Sequence, residues 1–165
     1  MANKESLRQT IIDALAQDLS TASNAADTAR ATATSKETVA ENKYDTFGLE
    51  ASYLAHGQSI RVEELQHAID HYTSLPFKAF GEDDEIELSA TIALIPTDNN
   101  KNGNEKVFFI GPAAGGLKIH WNNTDIMVIT TGTPLGRQLL GKQLDDVVTL
   151  IVNHNPIEYE IIAIY

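Results

Sequence analysis

The chain has 165 residues, 42% of them hydrophobic, enough for one compact domain or two small modules with a core. Its 23 acidic and 12 basic residues leave a net charge of −11, which argues against an autonomous nucleic-acid binder, since neutralising phosphates needs a surplus of Lys and Arg. There is no cysteine for disulfides or thiolate metal sites, and no signal-like or membrane-length apolar run, so the chain reads as soluble and cytoplasmic.

Residues 4 to 74 carry helical periodicity. In the first segment Ile12, Leu15, Leu19, Ala22, Ala26, Ala29 and Ala33 recur at alternating spacings of three and four, the pattern of a coiled-coil seam. In the second, Ala40, Tyr44, Phe47, Ala51, Leu54, Leu65, Ala68 and Tyr72 fall on one seam, with Gln58 and Arg61 as polar exceptions. Thr38-Val39-Ala40-Glu41 has the form of a capping box, which predicts a second helix starting near Val39 and packed antiparallel to the first. About 30 residues of helix make a projecting finger roughly 45 Å long. Its tip carries Glu37, Glu41 and Asp45, and helical spacing of four would put Glu41 and Asp45 on one face.

Beyond Pro76 the period changes to that of strands. They are predicted over Ile86–Ile95, Lys106–Ile110, Leu117–Trp121, Ile126–Thr130, Val147–Val152 and Ile157–Ile164, separated by segments dense in Asn, Gly, Pro and Asp. Between the fourth and fifth, Pro134 and Gly141 bracket a short helix. The second half is expected to be a small antiparallel sheet with one helix, so the fold class is α+β.

Several local patterns carry little chemistry. "DNNKNG", Asp98 to Gly103, opens like a calcium loop, but Phe109 stands where a bidentate glutamate is required; it reads as a hairpin loop. His67 and His71 are four apart with Glu64 nearby, yet no further zinc ligand is suggested. "GPAAGG", Gly111 to Gly116, lacks the Lys and the following helix of a phosphate loop and reads as a turn.

"TGTPLGRQLLGKQLDDVVTL" together with the terminal "IEYEIIAIY" resembles the C-terminal signature of the Gre family of bacterial transcription elongation factors. Thr133-Pro134-Leu135-Gly136, Leu139-Leu140-Gly141-Lys142 and Asp145-Asp146-Val147 match that signature in order and spacing. The resemblance implies an antiparallel coiled-coil finger over 1–76 and an FKBP-like domain over 77–165. It also implies that the protein binds RNA polymerase, inserting the finger into its secondary channel. Acids at the tip would then help hold magnesium in the polymerase's own active centre and stimulate cleavage of backtracked RNA. The family tip, Asp-x-x-Glu-Asn-x-Glu-Tyr, aligns with Thr38 to Asp45: Glu41 and Asn42 match, Thr38 replaces the aspartate, and Tyr44-Asp45 replaces Glu-Tyr.

By this resemblance Glu41 and Asp45 are the catalytic and metal-holding candidates. Glu37, Thr38, Asn42, Tyr44, Pro134, Leu135 and Gly136 are the partner-contacting ones. No cofactor of its own, no autonomous DNA binding and no enzymatic activity of its own are expected. The alternatives are a non-cleaving or inhibitory Gre homologue, an FKBP-like peptidyl-prolyl isomerase, and a coiled-coil interaction module.

Overall fold

The computed structural model of the protein describes residues 4–35, 41, 46–98 and 104–165. Two long helices, α1 (Lys4–Thr34) and α2 (Phe47–Ser74), come first. Six strands follow: β1 (Thr91–Pro96), β2 (Lys106–Gly111), β3 (Lys118–Trp121), β4 (Thr124–Thr130), β5 (Val147–Val152) and β6 (Asn155–Ile164). A short helix, α3 (Pro134–Leu139), lies between β4 and β5. The fold is α+β, in two compact units: Ile12–Asp70, and Met1–Ile11 with His71–Tyr165.

The helical unit is an antiparallel hairpin with a seam made largely of alanine. Leu15, Ala22, Ala26 and Ala29 of α1 are buried, as are Ala51, Ala55, Leu65 and Ala68 of α2. Small side chains at a helix contact shorten the distance between axes. A groove lined by Ala29 and Thr32 with Phe47, Ala51 and Leu54 shows late α1 lying beside early α2. Arg30 Nη2 donates to Ser59 Oγ at 2.7 Å and ties the pair together. The many hydroxyls are satisfied locally: Thr21, Thr28, Thr34, Ser52 and Ser59 each donate to the carbonyl four residues earlier.

Three helical expectations are corrected. Burial in the first turns of α1 falls on Leu7, Ile11 and Leu15, with Ile12 only half-buried. Phe47 and Leu54, placed on the seam by their spacing, are 58% and 56% exposed. The contact is carried instead by Ala51 and Ala55, and the larger side chains flank it. Finally, α2 begins at Phe47 rather than near Val39, and Glu41 lies in a bend. Thr46 starts the helix: its carbonyl accepts from Glu50 N at 2.8 Å, and its hydroxyl donates to Glu50 Oε1 at 2.9 Å.

The second unit is built on one sheet of order β3-β4-β2-β1-β6-β5. Its neighbours are antiparallel except β2 and β4, which are parallel, so the expected all-antiparallel sheet is in fact mixed. After β2 the chain moves to the outer β3 position and returns in a tight hairpin, which brings β4 into the gap with the direction of β2. Asn122 and Asn123, then Asn153 and His154, take positive φ in the two-residue turns of β3–β4 and β5–β6. Residues Ile86–Ala90, predicted to open the first strand, are not part of the sheet. Ile86 exchanges hydrogen bonds with Gly141 and Lys142 at 2.9 and 2.8 Å, and Ser89 turns the chain with φ 75°.

Period-two alternation gives the sheet two buried faces. One holds the core of Ile92, Leu94, Phe108, Ile110, Tyr159 and Ile161, closed by Leu139 of α3. On the other, the Phe109 ring stacks on Phe77 at 5.3 Å between centroids and meets Tyr72 at 6.3 Å. The first turns of α1 complete this layer. Arg8 sits over the Phe77 ring at 4.7 Å and donates to Leu75 O at 2.8 Å. Lys4 lies over Phe80 at 4.5 Å, and its ammonium donates to the carbonyls of Lys78 and Ser89.

Candidate functional site

Two places are candidates for a functional site: the segment between α1 and α2, and the face beside α3. At the turn, Glu37, Thr38, Asn42, Tyr44 and Asp45 lie outside the described residues. Glu41 is described; it is exposed and stands in a bend rather than on a helix. The helical spacing that would have put Glu41 and Asp45 on one face therefore does not hold at Glu41. Thr46, which drew no attention in the sequence, starts α2; the signal was a Thr-to-Glu spacing of four instead of the capping box's three.

The sequence segment that carries the signature contributes Thr133, Pro134, Leu135 and Gln138 to this face. Thr133 is the N-cap of α3, with φ −74° and ψ 154°. Its hydroxyl accepts from Gly136 N at 3.1 Å and donates to Thr130 O at 2.8 Å, so one side chain ties the helix start to the end of β4. Pro134 follows where a missing N–H costs nothing. Gly136 is buried, and a Cβ there would run into the Thr130 carbonyl. The three residues of this segment that were expected to meet a partner thus divide: Pro134 is exposed, Leu135 half-buried against the core, and Gly136 buried for close packing.

Beside α3 opens a cleft of about 1030 Å³, at the upper end of ligand-site volumes. Its apolar floor and walls include Phe108, Ile129, Pro134, Leu135 and Leu150. Its rim is charged: Lys106, Lys118 and Glu105 line it, and His120 Nδ1 lies 2.7 Å from Asp125 Oδ1 across the β3–β4 pair. An apolar floor with a mixed-charge rim is the anatomy of a protein contact surface. Phe108 is the one Phe, Tyr or Trp among the described lining residues. An isomerase pocket for a prolyl peptide would need more, but Phe109 and Tyr159 are buried and Trp121 donates to Ser6 Oγ at 2.8 Å.

Gln138, unremarkable in sequence, forms part of this wall. Its carboxamide accepts from Thr149 N at 3.0 Å and donates to Thr149 O at 3.1 Å, joining α3 to β5. No sequence signal predicts this pair, because it joins two elements across the fold. His67 and His71 are exposed, and no cluster of three or more metal-ligating side chains occurs among the described residues. Among those residues no helix is long and apolar enough to cross a membrane.

Comparison with known proteins places the second half of the chain. Residues 81–165 match the family model described as transcription elongation factor, GreA/GreB, C-terminal. No curated protein matches. Among solved structures, GreA factor homolog 1 of Thermus thermophilus is 21% identical, with 93% of this chain and 94% of that one covered at a TM-score of 0.38. Gfh1 of Thermus aquaticus is 18% identical, covering 92% and 91% at 0.39. A GreA/GreB factor from Nitrosomonas europaea is 11% identical, covering 70% and 91% at 0.37.

Proposed function

Since the chain belongs to the GreA/GreB family of transcription elongation factors, we propose that it binds RNA polymerase through both of its units and regulates elongation from the secondary channel. The observation that carries this reading is the cleft. Thr133, Pro134 and Leu135 of the family signature line it, and a charged rim surrounds an apolar floor suited to a protein partner. The acidic helical hairpin is the part that would enter the channel, with Glu41 exposed in the turn.

Magnesium fits this scheme only as the polymerase's ion. Glu41 supplies one exposed carboxylate and Asp45 would supply the other, which is fewer ligands than an all-protein magnesium site needs. Bound in the polymerase centre, the ion would activate water and stabilise the charge that develops on phosphate. The chain's own role is to place a carboxylate beside it. In this reading the protein is not an enzyme; any RNA cleavage is the polymerase's.

Association with core polymerase, together with competition against a known occupant of the secondary channel, tests the proposal. No association would sink it. Where binding holds, enhanced RNA cleavage in a backtracked complex marks a cleavage factor. Binding without enhancement marks a non-cleaving or inhibitory homologue, a reading favoured by Thr38 where the family carries aspartate.

A further inference from the structure

β5 is the outer strand of the sheet, paired on one side with β6. An edge strand leaves alternate N–H and C=O groups without a ladder partner. At Thr149 both outward groups are taken by one side chain: Gln138 Oε1 accepts from Thr149 N at 3.0 Å, and Gln138 Nε2 donates to Thr149 O at 3.1 Å. A primary carboxamide presents one acceptor and two donors on a planar group, so it reproduces what a neighbouring strand would offer. Gln138 stands on α3, the helix that also supplies Pro134 and Leu135 to the cleft, and Thr149 and Leu150 of β5 line the same cleft.

We infer that Gln138 is a positioning residue that clamps α3 to the sheet edge and so holds these two cleft-lining elements together for the protein partner, RNA polymerase. α3 is only six residues long and cannot hold itself by helix propagation. It is fixed at three points. Thr133 ties its start to β4, Leu139 anchors it in the core, and Gln138 ties its solvent side to β5. The first two hold the helix down on the sheet. Gln138 adds a direct hydrogen-bonded tie to β5, whose Leu150 also lines the cleft. The same pair blocks the β5 edge at its middle, so a second strand cannot add there without displacing Gln138.

The inference rests on the polymerase reading of the cleft, and its test separates the two. Gln138→Met keeps the length and apolar stem but can make neither bond, whereas Gln138→Ala also removes the packing. Amide hydrogen exchange in the whole protein reads the clamp directly. Exchange at Thr149 should rise about three- to tenfold in both variants, with global stability close to wild type. Affinity for core polymerase should then fall about three- to tenfold in Gln138→Met as well as in Gln138→Ala. Wild-type exchange at Thr149 in Gln138→Met would overturn the clamp. Faster exchange with undiminished polymerase affinity would overturn its role in the cleft. Loss of the polymerase reading itself shows differently: wild-type protein would not bind, while the exchange at Thr149 still responded to the substitution.

Discussion

The Tyr72 hydroxyl donates to the carbonyl of Ala113 at 2.9 Å, joining the last turn of α2 to the loop between β2 and β3. The ring is fully buried beside Phe109, and Gly111 makes room for it, since a Cβ there would strike the hydroxyl. Tyr72→Phe keeps the packing and leaves a carbonyl without this donor, so stability should fall by about 1 kcal/mol, measured by urea unfolding. Burial also raises the phenol's pKa above its usual 10.0. The folded state therefore keeps a proton that the unfolded chain loses in base, and stability should decline as pH rises above 10. That decline should be weaker in Tyr72→Phe; an unchanged alkaline slope would refute the account.

Gly136→Ala should destabilise the protein by about 1–3 kcal/mol, because the added methyl meets the Thr130 carbonyl rather than a flexible side chain. Thr133→Val, losing the cap and the Thr130 tie, should cost about 1 kcal/mol. Thermal melts of both variants check this, and wild-type melting of Gly136→Ala would mean that the helix start can shift.

Lys4 is half-buried against Phe80, and burial, reinforced by the Lys78 ammonium, lowers its pKa from 10.5 to about 8. Below about pH 8 both states carry the charge, and the cost of burying it is fully present. Between about 8 and 10.5 the unfolded chain holds the proton more tightly than the folded one, so this group's contribution to stability improves as pH rises. Solvent screening keeps the change small. The wild type should gain on Lys4→Met in urea unfolding between pH 8 and pH 10, and a flat difference would contradict this.

If RNA cleavage is stimulated, Glu41→Ala should reduce it on the order of 10- to 100-fold in a backtracked complex, as expected for a group orienting a metal-bound water. Thr38→Ala should do less, having no charge to remove. Equal losses in the two variants would mean that the shape of the turn, not its carboxylate, matters.

The sequence pattern located elements better than it located contacts. Strands β2, β3 and β5 fall within a residue of their predicted bounds, because alternation and turn residues are local signals. The helix pairing was legible from the alanine spacing, yet Phe47 and Leu54 were misplaced, since periodicity cannot tell which of two neighbouring positions faces a close-packed partner. The parallel β2–β4 pairing was hidden because nothing in either strand records which neighbour it will meet. At the cleft, Pro134 and Leu135 were visible through the family signature. Gln138 was not, because its partner Thr149 lies on another element.

β1 sits between β2 and β6, with Ile92 opposite Phe108 on one side and Ile164 on the other. A central strand is thus completed by β6, the last strand of this sheet in chain order. The hairpin of α1 and α2 needs only near neighbours in sequence, so it can form while the rest of the chain is still being made. The sheet cannot close until β6 arrives, and until then β1 and β5 each lack a neighbour. High sequence separation of this kind slows folding. Removing β6 would therefore take away a neighbour of the central strand β1 and the one partner of β5, not merely an edge of the sheet.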